Sequence, residues 1–564
     1  MELNGAQIVV KQLLEHGITT VFGYPGGQVL PLYDELYKNA DKIRHILTAH
    51  EQGATHAADG YARVSGKTGV VIATSGPGST NLVTGIATAY LDSVPLVAIT
   101  GNVPVAMLGK DSFQEVDIVG ITQPVVKHSF AVWDIKKLEH IMNEAFLIAN
   151  TGRCGPVLID IPRSVQMDMC EYTGIPSVHI TETPHAYDIP QLTAAMNGAK
   201  RPYIYAGGGV IASGAEIELR ELSKRLSAPV GFSMMGLTAL PHEYALNLGM
   251  SGMHGRYAAT VAQSECDVMI ALGTRFSDRA TGNVGAFGKD KLIIHVDIDL
   301  AEVGKNVPSH MTACGNIKDI LSELLQNLDE SHNDEWMSRI EQLKHIEDMH
   351  EDPQSKISLA DSNDEGAFTP KNIIEMTERI LGDDILVATD VGQHQMWVMQ
   401  YYRFSKPRTL LTSGGLGTMG YGLGAAIGGC MAANKRRTVL FTGDGSFGMN
   451  LNELATAVSN EIPVVIIIMN NGVLGMVRQW QNMFFDQRYS QTTLNRKTDY
   501  AALAKAFGAD GYMVESLPQL KEILTQLPDN SPIVIDCHIC MDEKVYPMIP
   551  PGGTVTDIIT REKK

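Results

Sequence analysis

The sequence predicts an α/β protein built from three doubly wound domains, each with a parallel sheet. The chain has 564 residues, and at about 150 residues per domain this length suggests three or four hydrophobic cores. Short apolar runs alternate with segments of helical periodicity, which is the pattern of a parallel sheet covered by helices. Stretches that are polar or rich in proline separate these regions. The predicted domains span residues 1–166, 190–328 and 369–540.

The first domain shows the pattern clearly. Residues 6–17 have helical periodicity, and short apolar runs follow at intervals suited to strands joined by helices. The predicted strands are Thr20–Phe22, Ile43–Leu47, Gly69–Ala73, Pro95–Ile99 and Pro156–Asp160. From Met167 to Pro190 the periodicity is lost, and Pro, Thr and His become frequent. We interpret this stretch as a linker.

The second and third domains repeat the same alternation. In the second, a strand at Tyr203 runs into the glycine turn Gly207-Gly208-Gly209, and a strand over Lys291–Val296 leads into Asp297. A polar stretch from Asp329 to Glu365 is predicted to be partly helical. The third domain is followed by a tail, residues 541–564, rich in Pro and Gly. The first and third domains could be one fold used twice.

Composition excludes several classes of protein. The net charge of −18 argues against binding to nucleic acid, whose phosphates need a basic surface. No apolar run reaches the roughly 18 residues of a membrane span, and the N-terminus lacks a signal-peptide pattern. Seven scattered cysteines suggest reduced thiols in the cytoplasm. The pair Cys537 and Cys540 has redox or metal spacing, but it continues a strand and is interpreted as structural.

Two short signatures flank one predicted strand, helix and strand unit. Gly443-Asp444-Gly445-Ser446 follows the strand Thr438–Thr442, and Asn470-Asn471 ends the strand Pro463–Met469. Asp444 and Asn471 lie 27 residues apart, so both are expected at one edge of a parallel sheet, where such sheets bind ligands. An acid and an amide oxygen there suit Mg²⁺, with the backbone carbonyl of Val473 as a third oxygen ligand.

Glu51 follows a predicted strand and opens a helix. Taken alone, it is a first-turn acid favoured by the helix dipole. His50 and His56 are six residues apart, so they do not form the zinc motif, in which two histidines are four residues apart.

Further fragments match one family across nearly the whole chain. They are Phe22-Gly-Tyr-Pro-Gly-Gly27, Ser75-Gly-Pro-Gly-Ser-Thr-Asn81, Ser112-Phe-Gln-Glu-Val-Asp117, Asp390-Val-Gly-Gln-His-Gln-Met-Trp397, Ser413-Gly-Gly-Leu-Gly-Thr-Met-Gly420 and Gly475-Met-Val-Arg-Gln-Trp480. Together with the two signatures above, they resemble the catalytic subunit of the acetohydroxyacid synthases, also called acetolactate synthases. These are thiamine diphosphate enzymes. The resemblance makes residues 1–166 the pyrimidine-binding domain, 190–328 an FAD-associated domain and 369–540 the diphosphate-binding domain.

The resemblance implies the following site residues. The catalytic group is Glu51, which contacts the cofactor's aminopyrimidine N1′, with Gly27, Gln114 and Met419 around the cofactor rings. The cofactor's diphosphate is held by Val391, Gly392, Gln393, His394, Gly445 and Ser446, with Mg²⁺ on Asp444, Asn471 and Val473. FAD lies along Arg153, Gly207, Gly208, Gly209, Gly252, Met253, His254, Arg275 and Asp297. The 2-ketoacid substrates are contacted by Arg279, Trp480 and Arg163.

The implied reaction condenses pyruvate with pyruvate or 2-ketobutyrate, with loss of CO₂, in branched-chain amino acid biosynthesis. The resemblance also implies a homodimer or homotetramer with active sites between chains, and a small regulatory subunit is possible. Rival interpretations are a pyruvate oxidase or decarboxylase, a catabolic acetolactate synthase without FAD, and a noncatalytic scaffold. Departures from the family pattern include Cys154, Ser164, Asn316 and Gly424; Asn316 and Cys154 bear on flavin affinity.

Overall fold

The computed structural model describes residues 1–174, 187–350 and 367–561. These residues form three parallel sheets of six strands, each flanked by helices. The predicted α/β class with three doubly wound domains is therefore confirmed. Parts of the predicted linker and of the polar stretch before residue 366 lie outside the described residues.

The first sheet has the strand order β3-β2-β4-β5-β7-β6. A short antiparallel ribbon joins β1 to β8. The start of the predicted linker is therefore a strand. The sequence did not indicate it, because three residues are too few to show a period. The elements are β1 (Glu2–Asn4), α1 (Gly5–Glu15), β2 (Thr20–Tyr24), α2 (Leu30–Lys38), β3 (Arg44–Leu47), α3 (Glu51–Ser65), β4 (Gly69–Ala73), α4 (Pro77–Thr80), α5 (Val83–Leu91), β5 (Leu96–Asn102), α6 (Ile118–Thr122), β6 (His128–Ala131), α7 (Leu138–Asn150), β7 (Pro156–Pro162), α8 (Arg163–Met167) and β8 (Met169–Glu171).

The middle sheet has a different strand order from the first sheet. Its elements are α9 (Ile189–Asn197), β9 (Pro202–Ala206), α10 (Gly208–Ser213), α11 (Glu216–Arg225), β10 (Val230–Phe232), β11 (Asn247–Met250), α12 (Tyr257–Glu265), β12 (Val268–Leu272), α13 (Asp278–Thr281), α14 (Val284–Phe287), β13 (Leu292–Asp297), β14 (Met311–Cys314), α15 (Ile317–Leu325) and α16 (Asp334–His350). The strand order is β11-β10-β9-β12-β13-β14. This is the order of dinucleotide-binding sheets, and the chain direction across the sheet reverses between β9 and β12.

The third sheet has the order β16-β15-β17-β18-β20-β19. Its elements are α17 (Pro370–Leu381), β15 (Leu386–Thr389), α18 (Gln393–Tyr401), β16 (Leu410–Leu411), α19 (Gly422–Ala432), β17 (Thr438–Gly443), α20 (Asp444–Asn450), α21 (Leu454–Ser459), β18 (Val464–Asn470), α22 (Gly475–Phe484), α23 (Tyr500–Phe507), β19 (Asp510–Val514), α24 (Leu517–Leu524) and β20 (Ile533–His538). Counted along the chain, this is the same order as in the first sheet. The two outer domains thus share one topology.

Helices α3 and α19 join the first domain to the third. Glycines let the two backbones touch: a Cβ on Gly60 would collide with the carbonyl oxygen of Ala425, and one on Gly428 with that of Ala57. A Cβ on Gly424 would lie 2.8 Å from the carbonyl oxygen of Gly53. This packing explains why α19 is rich in Gly and Ala.

A buried charged network lies beside this helix pair. Arg63 Nε is 2.6 Å from Asp59 Oδ1, and Arg63 Nη2 is 2.8 Å from Asp92 Oδ2. The Tyr421 hydroxyl of the third domain donates to Asp59 Oδ1 at 2.6 Å. Because the buried charges are paired and hydrogen-bonded, the network fixes how the two domains face each other.

The length of the helices and the state of the cysteine pair bear on two expectations from composition. Within residues 1–174, 187–350 and 367–561, no helix is long and apolar enough to cross a membrane. The Cys537 thiol is buried in β20 and Cys540 is exposed, and both thiols are free. This agrees with a structural interpretation of the pair.

Candidate active site

Asp444 and Asn471 lie at the same edge of the third sheet. Strands β17 and β18 are parallel neighbours, and Gly443 is in register with Met469. Burial raises the pKa of the Asp444 carboxyl to about 6, and the Asn471 side-chain oxygen accepts a hydrogen bond from the Val473 amide at 3.2 Å. The strand-end arrangement expected from the sequence is confirmed, and it gathers oxygen ligands of the kind that Mg²⁺ prefers.

The turn after β15 lies beside this edge, because β15 pairs with β17. Asp390 organises it. Its Oδ1 accepts hydrogen bonds from the Gly420 amide at 2.7 Å and the Val391 amide at 3.0 Å, and its Oδ2 accepts one from the Thr442 hydroxyl at 3.3 Å. Burial raises the Asp390 pKa to about 6. The carboxylate therefore ties three segments together at the point where the sheet order reverses, which is where such sheets bind ligands.

The predicted diphosphate turn is only partly as expected. The Ser446 hydroxyl donates to the Val391 carbonyl at 2.8 Å, which brings the two predicted groups together. The Gln393 side chain, however, donates to Gln479 Oε1 at 3.0 Å and to the Glu543 carbonyl at 2.7 Å. It is thus engaged with the protein, and its remaining contribution is the backbone amide in the first turn of α18.

Two further predicted residues border this turn. His394 is buried, its Nε2 has no hydrogen-bond partner in the described residues, and burial lowers its pKa to about 3, so its ring is neutral. A Cβ on Gly445 would lie 2.8 Å from Leu474 Cδ2 and 3.9 Å from the Met419 methyl group. Met419, half-buried, is therefore next to the turn Asp444–Gly445.

Glu51 begins α3 and lies at the carboxyl edge of the first sheet. Asn81 Nδ2 donates to Glu51 Oε2 at 3.0 Å. A Cβ on Gly78 would lie 3.4 Å from Glu51 Oε1, which places the turn before Asn81 against the carboxylate. Burial and the Glu51 charge raise the pKa of Tyr33. Glu51 is thus half-buried and held by an amide from the Ser75–Asn81 segment.

Gln114 and Gly27 flank the same region, whereas Arg163 does not join it. Gln114 has a positive φ of 60° and contacts the Gly76 turn. A Cβ on Gly27 would meet open space. Arg163 opens α8 after β7, and among the described residues no hydrogen bond or ion pair joins it to the other predicted site residues.

The predicted flavin residues collect at the reversal point of the middle sheet. The glycine turn 207–209 follows β9 and packs on Gly273 after β12, where a Cβ on Gly207 would collide with the Gly273 carbonyl. Burial lowers the pKa of Arg275 and raises that of Asp297 to about 6. Arg153 Nη1 is 2.7 Å from Glu302 Oε1.

The glycine-rich turn at residues 252–254 lies nearby. His254 is buried, and its Nδ1 has no partner among the described residues. A Cβ on Gly252, which has a φ of 112°, would lie 2.7 Å from the Arg279 carbonyl oxygen. Asn316 caps α15 through a hydrogen bond from the Lys318 amide to its side chain at 2.9 Å.

Arg279 and Trp480 come from different domains and meet. The Arg279 guanidinium carbon lies 5.3 Å from the centre of the Trp480 ring. Arg279 Nη1 also lies 3.4 Å from the Met253 sulfur. Trp480 lies on α22, which begins four residues after Asn471, so a guanidinium and an aromatic ring from two domains meet on the helix that follows the Asn471 turn.

Comparisons with known proteins identify the family of this chain. Three family models cover the chain: "Thiamine pyrophosphate enzyme, N-terminal TPP binding domain" at residues 3–121, the central domain at 189–324 and the C-terminal TPP binding domain at 390–537. Thiamine pyrophosphate is another name for thiamine diphosphate. A "Probable acetolactate synthase large subunit" of Methanocaldococcus jannaschii is 42% identical, covering 99% of this chain and 95% of that protein. The chain belongs to the acetolactate synthase family.

Two other relatives give the same result. The "Acetolactate synthase isozyme 2 large subunit" of Escherichia coli K12 is 42% identical over 99% of this chain and 100% of its own length. The "Acetolactate synthase large subunit" of Corynebacterium glutamicum is 42% identical over 99% and 90%. The similarity thus extends over whole chains.

One buried acid beside the candidate site, Glu453, could not be recognised from the sequence. Glu453 of the third domain is fully buried, and it accepts hydrogen bonds from the His50 amide at 2.9 Å and the Ala49 amide at 3.1 Å. Its other partner is the Thr456 hydroxyl, at 2.6 Å. It therefore holds the segment immediately before Glu51. The sequence signal was weak, because Glu453 lies in Leu451–Val458, a segment that also contains the polar residues Asn452 and Thr456.

Proposed function

We propose that this chain is the catalytic subunit of a thiamine diphosphate-dependent acetolactate synthase. It condenses pyruvate with a second pyruvate or with 2-ketobutyrate, releases CO₂ and forms 2-acetolactate or 2-aceto-2-hydroxybutyrate. The observation that carries the proposal is the contact between Arg279 and Trp480, the latter on the helix that follows Asn471. A guanidinium suits the carboxylate of the second ketoacid, and the indole offers an apolar surface to its alkyl group. Arg163 remains a proposed substrate contact.

The residues present fit the diphosphate and Mg²⁺. Asp444 is a buried carboxylate with a raised pKa, a state that a cation would relieve, and Asn471 and the Val473 carbonyl add oxygens. Among the described residues no cluster of three His, Cys, Asp or Glu could hold a metal, so the proposed site depends on this mixed set. The amides of Gly392, Gln393 and His394 at the start of α18 would face the diphosphate.

The rest of the site orients the cofactor and controls protons. When bound, thiamine diphosphate supplies the electron sink for the reaction. Glu51 holds a proton at the aminopyrimidine N1′, and Asn81 keeps its carboxylate in place by a 3.0 Å hydrogen bond. Met419 supports the rings, while Gly27 and Gln114 line the substrate side.

FAD is proposed for the middle domain. The strand order β11-β10-β9-β12-β13-β14 is that of dinucleotide-binding sheets, and the arginines and the acid at its reversal point suit a pyrophosphate and a ribose. The condensation transfers no electrons overall, so FAD serves structure. The purified protein should be yellow and should retain activity with a bound flavin analogue that cannot be reduced; inactivity with that analogue would contradict the role.

The active site is proposed to form between two chains of a homodimer or homotetramer. In one chain, among the described residues, no hydrogen bond joins Glu51 to Asp444, Gly445 or Met419. Apolar side chains are also exposed on the two segments of the proposed site: Leu47, just before Glu51, is 54% exposed, and Met449, just after Asp444, is 55% exposed. A second chain that supplies the other half-site would cover them. The relatives' names, which call them large subunits, suggest a small regulatory subunit as a partner. We also propose a cytoplasmic location. The proposed domain limits are 1–166, 190–328 and 369–540, with the tail 541–564.

A product assay tests the proposal. The purified chain is incubated with pyruvate, with or without 2-ketobutyrate, and thiamine diphosphate, Mg²⁺ and FAD are each omitted in turn. We expect 2-acetolactate, joined by 2-aceto-2-hydroxybutyrate when 2-ketobutyrate is present. Acetaldehyde or an oxidised two-carbon product would instead indicate a decarboxylase or an oxidase. Activity that is independent of FAD would favour the catabolic alternative.

A second assay tests Glu51. Glu51→Gln should keep the fold and slow proton exchange at the cofactor's thiazolium C2 by about 10²-fold or more, the scale of acid–base contributions. Wild-type exchange in this variant would exclude the assigned role.

A further inference from the structure

A cavity of about 240 Å³ lies between the middle domain and the C-terminal tail. It is enclosed by α12, by the segment that contains α13 and α14, and by the C-terminal tail. Its lining includes Met253, Gln263, Phe287, Lys291, Ile549 and Thr556. The tail is fixed to this domain by hydrogen bonds from the Ile549 amide to the Met253 carbonyl at 2.8 Å and from the Asn283 amide to the Gly553 carbonyl at 3.2 Å. The space is thus a built feature and can hold several waters or a small organic molecule.

Lys291 carries a buried charge into this cavity. The residue is 7% exposed, and its Nζ donates to the Gln263 carbonyl at 2.7 Å. No carboxylate of the described residues forms an ion pair with Nζ. Burial lowers the pKa of Lys291. An ammonium has three donors and its burial without an anion is costly, so the site is short of a negative partner.

A second unsatisfied donor belongs to a residue that lines the same space. Gln263 is 3% exposed, and its Nε2 has no hydrogen-bond partner among the described residues. Leaving a buried donor unpaired costs free energy comparable to that of a hydrogen bond. The lysine ammonium can take further acceptors and the glutamine amide lacks one, whereas Met253, Phe287 and Ile549 make the rest of the wall apolar. The Phe287 ring centre lies 5.3 Å from Lys291 Nζ.

We propose that this cavity binds a small aliphatic monocarboxylate. The carboxylate would accept hydrogen bonds from Lys291 Nζ and Gln263 Nε2, and the alkyl chain would contact the apolar wall. The apolar wall favours an organic acid over an inorganic anion, whose whole surface needs polar partners. Met253 borders both this cavity and Arg279, but the proposed function makes no use of Lys291 or Gln263, so the proposal does not depend on it.

Calorimetry on the holoenzyme at constant ionic strength tests this site, with sodium isobutyrate as the probe. The neutral isobutyramide and inorganic phosphate are the comparison ligands. We expect isobutyrate to bind and both comparison ligands to bind at least tenfold more weakly, because loss of a charged hydrogen bond has about that effect. The same titration on Trp480→Leu, whose side chain does not line the cavity, should be unchanged, which distinguishes this cavity from the proposed substrate contact.

Variants then locate the ligand. Lys291→Met and Gln263→Leu should each weaken isobutyrate binding at least tenfold, while Lys289→Met, a control at an exposed lysine two residues away, should bind as wild type. Lys291→Met should also unfold at the same or a higher temperature without ligand, because it removes a buried unpaired charge. The proposal is overturned if isobutyrate does not bind, if the amide or phosphate binds as well as isobutyrate, or if a folded Lys291→Met keeps wild-type affinity.

Discussion

Replacing Glu453 by glutamine tests whether the third domain holds the proposed catalytic glutamate of the first. The two carboxylate oxygens of Glu453 accept hydrogen bonds from the His50 and Ala49 amides, and one of them also accepts the Thr456 hydroxyl. Glutamine has the same shape but offers one oxygen and one NH₂ group. In Glu453→Gln, one of the two backbone amides before Glu51 must therefore lose its acceptor.

The size of the effect follows from these contacts. A hydrogen bond to a charged acceptor contributes about 1.5–3 kcal/mol. Burial raises the pKa of Glu453, so removing the charge also relieves part of its desolvation cost. We therefore expect the free energy of unfolding to fall by about 2 kcal/mol. Because a displacement of about 1 Å at a catalytic group can cost about 10²-fold, cofactor activation should slow by roughly 10- to 100-fold.

The assay is proton exchange at the thiazolium C2, measured by NMR after rapid quenching of the holoenzyme at saturating cofactor. Thermal unfolding is followed in parallel. Glu461→Gln, at an exposed glutamate eight residues away, is the matched control and should leave both quantities unchanged. A Glu453→Gln enzyme that loses stability yet exchanges its proton at the wild-type rate would show that Glu453 supports only the fold.

Three further predictions concern other residues. Asp444→Ala should abolish Mg²⁺-dependent retention of thiamine diphosphate, because the diphosphate loses its neutralising ion; calorimetry that shows native affinity and metal dependence would contradict the assignment. Trp480→Leu should reduce the preference for 2-ketobutyrate over pyruvate, since contact with one methylene is worth about 1–3 kcal/mol, and an unchanged product ratio in competition assays would place that selection elsewhere. Burial raises the pKa of Asp160 from 3.8 to about 6, so between these values the folded state binds more protons than the unfolded state, and the free energy of unfolding falls by up to ~3 kcal/mol as pH rises. Asp160→Asn should flatten that part of the pH profile in denaturant titrations, and an unaltered slope between pH 4 and 6 would refute the assignment.

The sheets and the strand-end residues could be predicted from the sequence because their signal is local. Strand β17 has an apolar centre, Val439–Phe441, and the glycines and acid at its end mark where it stops. Parallel pairing then brings the ends of neighbouring strands to one edge. For that reason Asp444 and Asn471 could be placed together without coordinates.

The groups that hold these residues in place could not be predicted in the same way. Asn81 and Glu453 lie 30 and 402 residues from Glu51 in the sequence, and each makes its contact only after separate elements pack. A single polar side chain carries no periodicity, so nothing local marks it as a partner. Gln393 shows the opposite case: its position in the turn was predicted, but Gln479 and Glu543, which engage its side chain, come from distant segments.

The contact between α3 and α19 has a consequence for communication between reaction centres. Helix α3 begins at Glu51, and α19 begins three residues after Met419. Their backbones approach so closely at Gly60 and Gly428 that neither position has room for a Cβ. In the proposed dimer, Glu51 and Met419 of one chain serve two different reaction centres. The helix pair would then be the direct packing contact between the two centres, since each helix begins at or just after one of these residues.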